Sequence, residues 1–67
     1  MSAILRRGRN VRLQLASGRI LIGTVMRASP DEITLTGVTV RERNEEDKEV
    51  ASMVVSRWVI RKAQETK

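Results

Sequence analysis

VRLQLASGRILIGTV, residues 11–25, is predicted to form two antiparallel β-strands joined by a tight turn. Apolar and polar residues alternate over residues 11–15, which is typical of a strand with one buried and one solvated face. Ala16–Arg19 supplies the turn, in which Gly18 can adopt a positive φ without steric cost. The second strand is apolar until Gly23, and a glycine inside a strand often marks a bend or a bulge. The pattern predicts a hairpin in a small, strongly curved barrel.

The 67-residue chain is expected to form a single domain, residues 1–67. A domain of this size buries a modest share of its surface and usually needs disulfides, a metal ion or oligomerisation to be stable. The sequence contains no cysteine and no histidine, which excludes disulfides and the common zinc sites. Its 40% hydrophobic content leaves apolar strand surface available, so we expect a homo-oligomer.

Composition also narrows the range of functions. Without histidine or cysteine, acid–base catalysis would depend on lysine or on carboxylates, most of which cluster in one polar run. We therefore expect no enzyme, no cofactor and no metal site. No stretch approaches the roughly 18 apolar residues of a membrane span, and the N-terminus lacks the apolar region of a signal peptide. The expectation is a cytoplasmic protein that does not associate with membranes.

Positive charge is concentrated in the first 27 residues. They carry six arginines and no acid (+6), whereas the remainder carries seven basic and eight acidic residues (−1), which together give the net charge of +5. Ten of the 13 basic residues are arginine, which contacts phosphate in a bidentate manner and stacks on planar groups. This distribution favours a nucleic-acid partner, although solubility or salt bridges between subunits would also account for it.

A short N-terminal helix is predicted over residues 2–8. Ser2 is a good N-cap and Gly8 is a natural C-terminal stop. A helix this short forms only when it packs on something, so we expect it to cover the open end of the barrel through Ile4 and Leu5.

Three further strands are expected after the hairpin. Ser29–Asp31 predicts a turn because its proline cannot donate to a ladder, and a third strand starts near Ile33 with a bulge at Gly37. The charged run Arg41–Glu49 is interpreted as a solvated hairpin connection and not as a cation site. Val50–Ile60 predicts two short strands that are apolar on both faces.

These last two strands, separated by Ser56 and Arg57, are expected to be the edges of the sheet. Exposed apolar edges invite pairing with another chain. The fourth strand of one subunit would pair with the fifth strand of the next, a heterologous contact that can close into a ring. The barrel is expected to cover residues 10–62, followed by a polar tail over residues 63–67.

The first hairpin resembles the first motif of the Sm and Sm-like (LSm, Hfq) family. That motif has alternating apolar residues, a Leu-x-x-Gly turn, and a second glycine two residues before a β-branched or leucine side chain. The matching positions are Val11, Leu13, Leu15, Gly18, Gly23 and Val25. The resemblance covers about residues 2–62. It implies an all-β fold, a small, strongly bent five-stranded SH3-like (Sm-fold) barrel with a short N-terminal helix. It also implies a ring of about five to seven subunits that binds single-stranded RNA.

Two stretches depart from the family pattern. Where the family usually has Asp-x-(aromatic or His)-Met-Asn, SPDEIT at residues 29–34 has no aromatic residue, histidine or asparagine. Where the second motif reads Ile-Arg-Gly or Tyr-Lys-His, VSRW at residues 55–58 keeps the arginine by type, at Arg57, and replaces the glycine with Trp58.

The candidate RNA-binding residues lie in these two loops and at the end of the bent strand. They are Arg27, Ser29, Asp31, Arg57 and Trp58. Single-stranded nucleic acid needs cationic contacts and flat stacking surfaces. For Arg57 an intersubunit salt bridge is an equal alternative, and for Trp58 packing in a core or interface is favoured over base stacking. A second candidate basic patch, for a salt-sensitive contact, comprises Arg6, Arg7 and Arg9.

The sequence is compatible with three functions. The first is a non-catalytic homo-oligomeric ring that binds single-stranded RNA in RNA metabolism or regulation. The second is an oligomeric protein scaffold of the same fold without RNA binding, which the missing aromatic residue and asparagine favour. The third is a monomeric, basic SH3-like module that binds duplex DNA.

Overall fold

The computed structural model describes residues 4–66, which form one antiparallel sheet of five strands. The strands are β1 (Asn10–Leu15), β2 (Ile20–Ala28), β3 (Glu32–Arg41), β4 (Lys48–Ser56) and β5 (Ile60–Glu65), with a single 3-10 turn at Arg57–Val59. Their order in the sheet is β4-β3-β2-β1-β5. The described residues contain no α-helix, and none of their helical segments is long and apolar enough to cross a membrane. The predictions of an all-β chain and of a five-stranded, barrel-like fold are confirmed.

The β1–β2 hairpin forms as predicted around Ala16–Arg19. Gly18 adopts a φ of +92°, a conformation that few other residues tolerate. Its N–H donates to the carbonyl of Leu15 over 2.9 Å, and the N–H of Leu15 donates to the carbonyl of Arg19 over 2.9 Å. These bonds fix the register of the hairpin.

The bend in β2 lies at Gly23, where the sequence predicts it. A Cβ on this residue would lie 2.9 Å from the carbonyl oxygen of Thr36, so the two strands approach closely only because the side chain is absent. The β2–β3 register shifts at the same point, opposite Gly37, which has a φ of +57°. A second shift follows between Val25 and Arg27. Two bulges along one ladder curve the sheet around its concave face.

The core lies on that concave face, and in the described chain it contains only apolar side chains. The fully or nearly fully buried side chains are Val11, Leu13, Leu21, Val25, Ile33, Leu35, Val38, Val40 and Val55. The bulge at Gly37 explains why the buried positions of β3 change phase between Leu35 and Val38.

The predicted N-terminal helix is wrong for residues 4–8, while residues 2 and 3 lie outside the described part of the chain. Residues 4–8 form turns, in which the N–H of Arg6 donates to Ile4 and that of Arg9 donates to Arg6. The end of this segment is bonded to β2, because the N–H of Gly8 donates to the carbonyl of Val25 over 2.7 Å. Too few residues remain for a helical turn. Ile4 and Leu5 nevertheless pack against the core, as predicted.

The C-terminal segment is more ordered than the predicted polar tail. β5 continues to Glu65 and pairs with β1, with Leu13 opposite Ala63 and Val11 opposite Glu65. The prediction of a tail from residue 63 is therefore wrong for residues 63–65. Ile60 and Ala63 pack on the core, and with the β1 ladder they hold this mostly polar strand on the sheet.

Candidate interaction surfaces

The two edges of the sheet are β4 and β5. On β4 only Val55 is buried, and Met53 is half-buried. Val50 and Val54, two of the strand's apolar side chains, are 37% and 59% exposed. The described chain thus presents an edge strand whose apolar groups and unpaired backbone groups are both accessible.

Trp58 lies in the 3-10 turn that joins the two edge strands. Its side chain is 75% exposed, so it does not pack in the core of this chain. Of the roles predicted for it, an interface anchor and a base-stacking platform remain.

Arg57 is brought together with Ser29 and Asp31, as the sequence predicts. The Arg57 Nε donates to the carbonyl of Ser29 over 2.6 Å, and the Arg57 N–H donates to the carbonyl of Asp31 over 2.9 Å. The turn also closes on itself, because the Ser29 Oγ accepts the N–H of Glu32 over 3.1 Å. The half-buried guanidinium therefore braces the β2–β3 turn. Its terminal nitrogens have no partner within residues 4–66.

The other predicted cations lie near the same end of β2. Arg27 is exposed and has no hydrogen-bond or ion-pair partner for its side chain among the described residues. The N-terminal segment lies alongside, because Val25 exchanges backbone hydrogen bonds with Gly8 and Arg9. Arg9 forms a 2.7 Å ion pair with Glu65, whereas the side chains of Arg6 and Arg7 are exposed without such a partner in the described chain. The structure thus places the predicted patch along β2 at Val25, two residues before Arg27.

A cavity of about 660 Å³ lies at the opposite end of β2, and the sequence did not predict it. Its lining residues are Ser17, Gly18, Arg19, Ile20, Arg41, Glu42 and Arg43. We call it the arginine pocket. The cross-strand pair Ile20–Arg41 joins its two halves, which are about 20 residues apart in the chain. The pairing of Ile20 with Arg41 would have revealed the pocket. It follows only from the β2–β3 register, which cannot be derived from the sequence because two bulges shift it.

Two ion pairs hold the walls of the arginine pocket. Arg19 Nη2 lies 3.3 Å from the Glu42 Oε1, and Arg41 donates from Nη2 and Nε to the Asp47 carboxylate over 3.1 and 3.2 Å. The hydrogen bonds and the charge of Asp47 raise the pKa of Arg41. Arg43 has no such partner among residues 4–66. Nowhere in that range do three acidic side chains group closely enough to hold a metal ion.

Comparisons with known proteins show the fold and no family. No family model matches the chain, and no curated protein sequence matches it. A chain in the crystal structure of the NatC complex bound to CoA is similar in fold, with a TM-score of 0.82. The likeness covers 100% of this chain and 87% of that chain, at 18% sequence identity.

These findings correct the assignment to the Sm-like family. The hairpin motif that suggested it is explained by the fold alone: Gly18 is needed for a positive φ and Gly23 for a close strand approach. Because the similar chain is only 18% identical and no family model matches, the assignment is wrong as a statement of family.

Proposed function

We propose that this protein is a non-catalytic building block that assembles with copies of itself through its two edge strands. One observation carries the proposal, namely that β4 is an edge of the sheet and exposes apolar side chains along its length. Pairing an edge strand with another chain satisfies its backbone groups and covers those side chains in one step. The similarity to a chain of a protein complex supports an assembly role.

The two edges differ, so self-assembly would be heterologous. β4 has nine residues with exposed valines, whereas β5 has six residues that are mostly polar. If β4 of one copy pairs with β5 of the next, each copy keeps one free edge until the chain of contacts closes. A closed ring removes both edges. A cytoplasmic location is part of this proposal.

Exposed apolar residues next to the edges give the assembly its anchors. Burying the exposed parts of Val54 and Trp58 would contribute about 3 kcal/mol on the scale of roughly 1.5–3 kcal/mol for a large apolar side chain. That gain is smaller than the entropic cost of association, so the strand-to-strand hydrogen bonds and the other copies of a closed ring must supply the rest.

Native mass spectrometry with matched variants tests the proposal. Wild type should give a closed oligomer, and Val54→Lys should shift it to monomer, because it places a charge on the paired edge. Met26→Lys is the control, since Met26 is 48% exposed on the interior strand β2 and lies on neither edge. A wild-type protein that remains monomeric at high concentration would contradict self-assembly. It would favour the alternative of a monomeric module that binds duplex DNA. Equal dissociation of both variants would point to general destabilisation.

Binding of single-stranded RNA by the assembled form is a second candidate function. It is favoured by the arginines near one end of β2 whose side chains have no partner within residues 4–66, namely Arg6, Arg7 and Arg27. In a ring these cations would repeat around one surface, as a phosphate backbone requires. The brace at Arg57 matters for the test, because removing that side chain would disturb the turn as well as the charge.

Arg27→Gln is therefore the cleaner probe. Affinity for oligo-U and oligo-A RNA should fall, and the slope of log affinity against log salt should decrease by about 0.7 for each phosphate that the variant no longer neutralises. Arg43→Gln is the control, because it removes another exposed arginine without a side-chain partner in the described chain, on neither edge strand and at the opposite end of β2 from Arg27. A ring that ignores both RNAs at low salt would leave the scaffold function alone.

A further inference from the structure

The arginine pocket has a charge pattern that the proposed function does not use. Three guanidinium groups and one carboxylate line it, at the end of β2 that is remote from Arg27 and Arg57. The Ile20–Arg41 pair lies on the sheet, while Ser17 to Arg19 belong to the β1–β2 turn and Glu42 and Arg43 to the loop after β3.

The donors in this pocket are not fully used. An arginine offers five N–H donors, and Arg19 uses one Nη in a long, 3.3 Å contact with Glu42, while its Nε is buried with no acceptor among the described residues. The side chain of Arg43 has no hydrogen-bond or ion-pair partner in the same part of the chain. The Ser17 Oγ accepts the N–H of Arg19 over 3.4 Å, so its own hydrogen is still available to a ligand. An unsatisfied buried donor is costly, so the Arg19 guanidinium would gain by reorienting its Nε toward an anionic acceptor.

We propose that the arginine pocket binds a small ligand through a phosphate group, held by Arg19 and Arg43 with help from the Ser17 hydroxyl. Guanidinium groups bind phosphate in bidentate, charge-assisted geometry, and these are the groups left with free donors. The cavity of about 660 Å³ lies within the range of about 300–1,000 Å³ for small-molecule sites. That volume is large enough for a small phosphate ester. Glu42 is then the internal competitor that the ligand displaces from Arg19. This inference does not depend on assembly or on RNA binding.

NMR titration of the full chain tests the site. The amide of Gly18 and the side-chain N–H signals of Arg19 and Arg43 report on the pocket. Inorganic phosphate and glycerol 3-phosphate should shift these signals saturably, whereas glycerol, which has the same carbon skeleton and no phosphate, should not. Adenosine monophosphate and a short RNA oligomer complete the series and separate a small ester from a polymer.

Three variants of the pocket test which charged groups strengthen phosphate binding and which weaken it. Arg19→Met and Arg43→Met should each weaken binding about tenfold, the usual effect of removing one charge-assisted hydrogen bond. Glu42→Gln should tighten it about two- to fivefold, because it removes the competing carboxylate and keeps the shape. That gain does not depend on whether the arginine variants fold well. Arg61→Gln, outside the pocket, should leave the affinity unchanged.

The proposal is overturned if the shifts do not saturate, or if Glu42→Gln fails to tighten binding. Equal shifts in wild type and both arginine variants would show nonspecific attraction to a basic protein and would also overturn it. If only the RNA oligomer binds, the small-ligand assignment is wrong.

Discussion

Gly23→Ala tests whether the bend in β2 depends on an absent side chain. The new methyl group would lie 2.9 Å from the Thr36 carbonyl oxygen, 3.3 Å from the Val38 Cγ2 and 3.4 Å from the Val38 Cα. The first distance is closer than a methyl group can approach an oxygen. The neighbour is backbone in the middle of a ladder, so it cannot simply rotate away, and the strands must separate.

The expected cost follows from two opposing effects. Overpacking of this kind costs about 1–3 kcal/mol. Replacing glycine in a strand recovers about 0.5–1 kcal/mol by restricting the unfolded chain. The net decrease in the free energy of unfolding should be about 1–2 kcal/mol. For a domain of this size, each kcal/mol lowers Tm by about 4–8 °C, so the shift should be about 5–15 °C.

Gly37→Asn is the matched control on the facing strand. Gly37 has a φ of +57°, which asparagine tolerates better than most residues, and a Cβ there meets no atom within 4 Å. Asparagine still meets backbone strain at this positive φ, so the loss should be about 0.5–1 kcal/mol and arise without a steric clash. Urea unfolding followed by far-UV circular dichroism, at one fixed protein concentration, measures both variants. If Gly23→Ala is as stable as wild type, the close approach does not require glycine and the account of the bend is wrong.

Two further predictions concern the turn and the edge strands. Arg57→Met should lower the free energy of unfolding by about 1–2 kcal/mol and speed amide exchange at residue 57, because the bond to the Ser29 carbonyl is removed, whereas Arg27→Met should change neither. Trp58 is the one aromatic residue of the chain, so in the absence of nucleic acid its fluorescence reports on the surroundings of this one side chain. Its emission should shift to shorter wavelength and its iodide quenching should fall as protein concentration rises, and a spectrum independent of concentration would oppose an interface role.

The strand alternation and the turn at Gly18 could be predicted because their causes are local. Alternation over residues 11–15 and the positive φ at Gly18 depend on a few neighbouring residues. The prediction of an N-terminal helix was wrong because its outcome is decided by a tertiary contact. Its caps are good locally, but the bond between Gly8 and Val25 is a tertiary contact that outweighs a weak local preference.

The candidate sites also differ in how far the sequence could predict them. The meeting of Arg57 with the Ser29–Asp31 turn was predictable, because both segments flank the same pair of neighbouring strands. That Arg57 braces the turn through its Nε depends on side-chain geometry that no sequence pattern contains. The arginine pocket depends on the β2–β3 register, which two bulges shift, so counting residues along the chain could not have aligned Arg19 with Glu42.

The size of the core bears on assembly. Nine buried side chains among residues 4–66, all from one sheet, make a core near the lower limit of what supports an independent domain. The same sheet places valines on an edge strand and a 75% exposed tryptophan at its end. A monomer would carry both disadvantages, a small core and an apolar edge prone to uncontrolled pairing. Pairing β4 with β5 of a second copy relieves both disadvantages, since it extends the buried surface and leaves no edge in a closed ring.

Val54→Lys should therefore reduce the free energy of unfolding as well as dissociate the oligomer, although the Val54 side chain is exposed in the single chain. A variant that became monomeric and kept the full stability of wild type would show that the small barrel needs no partner.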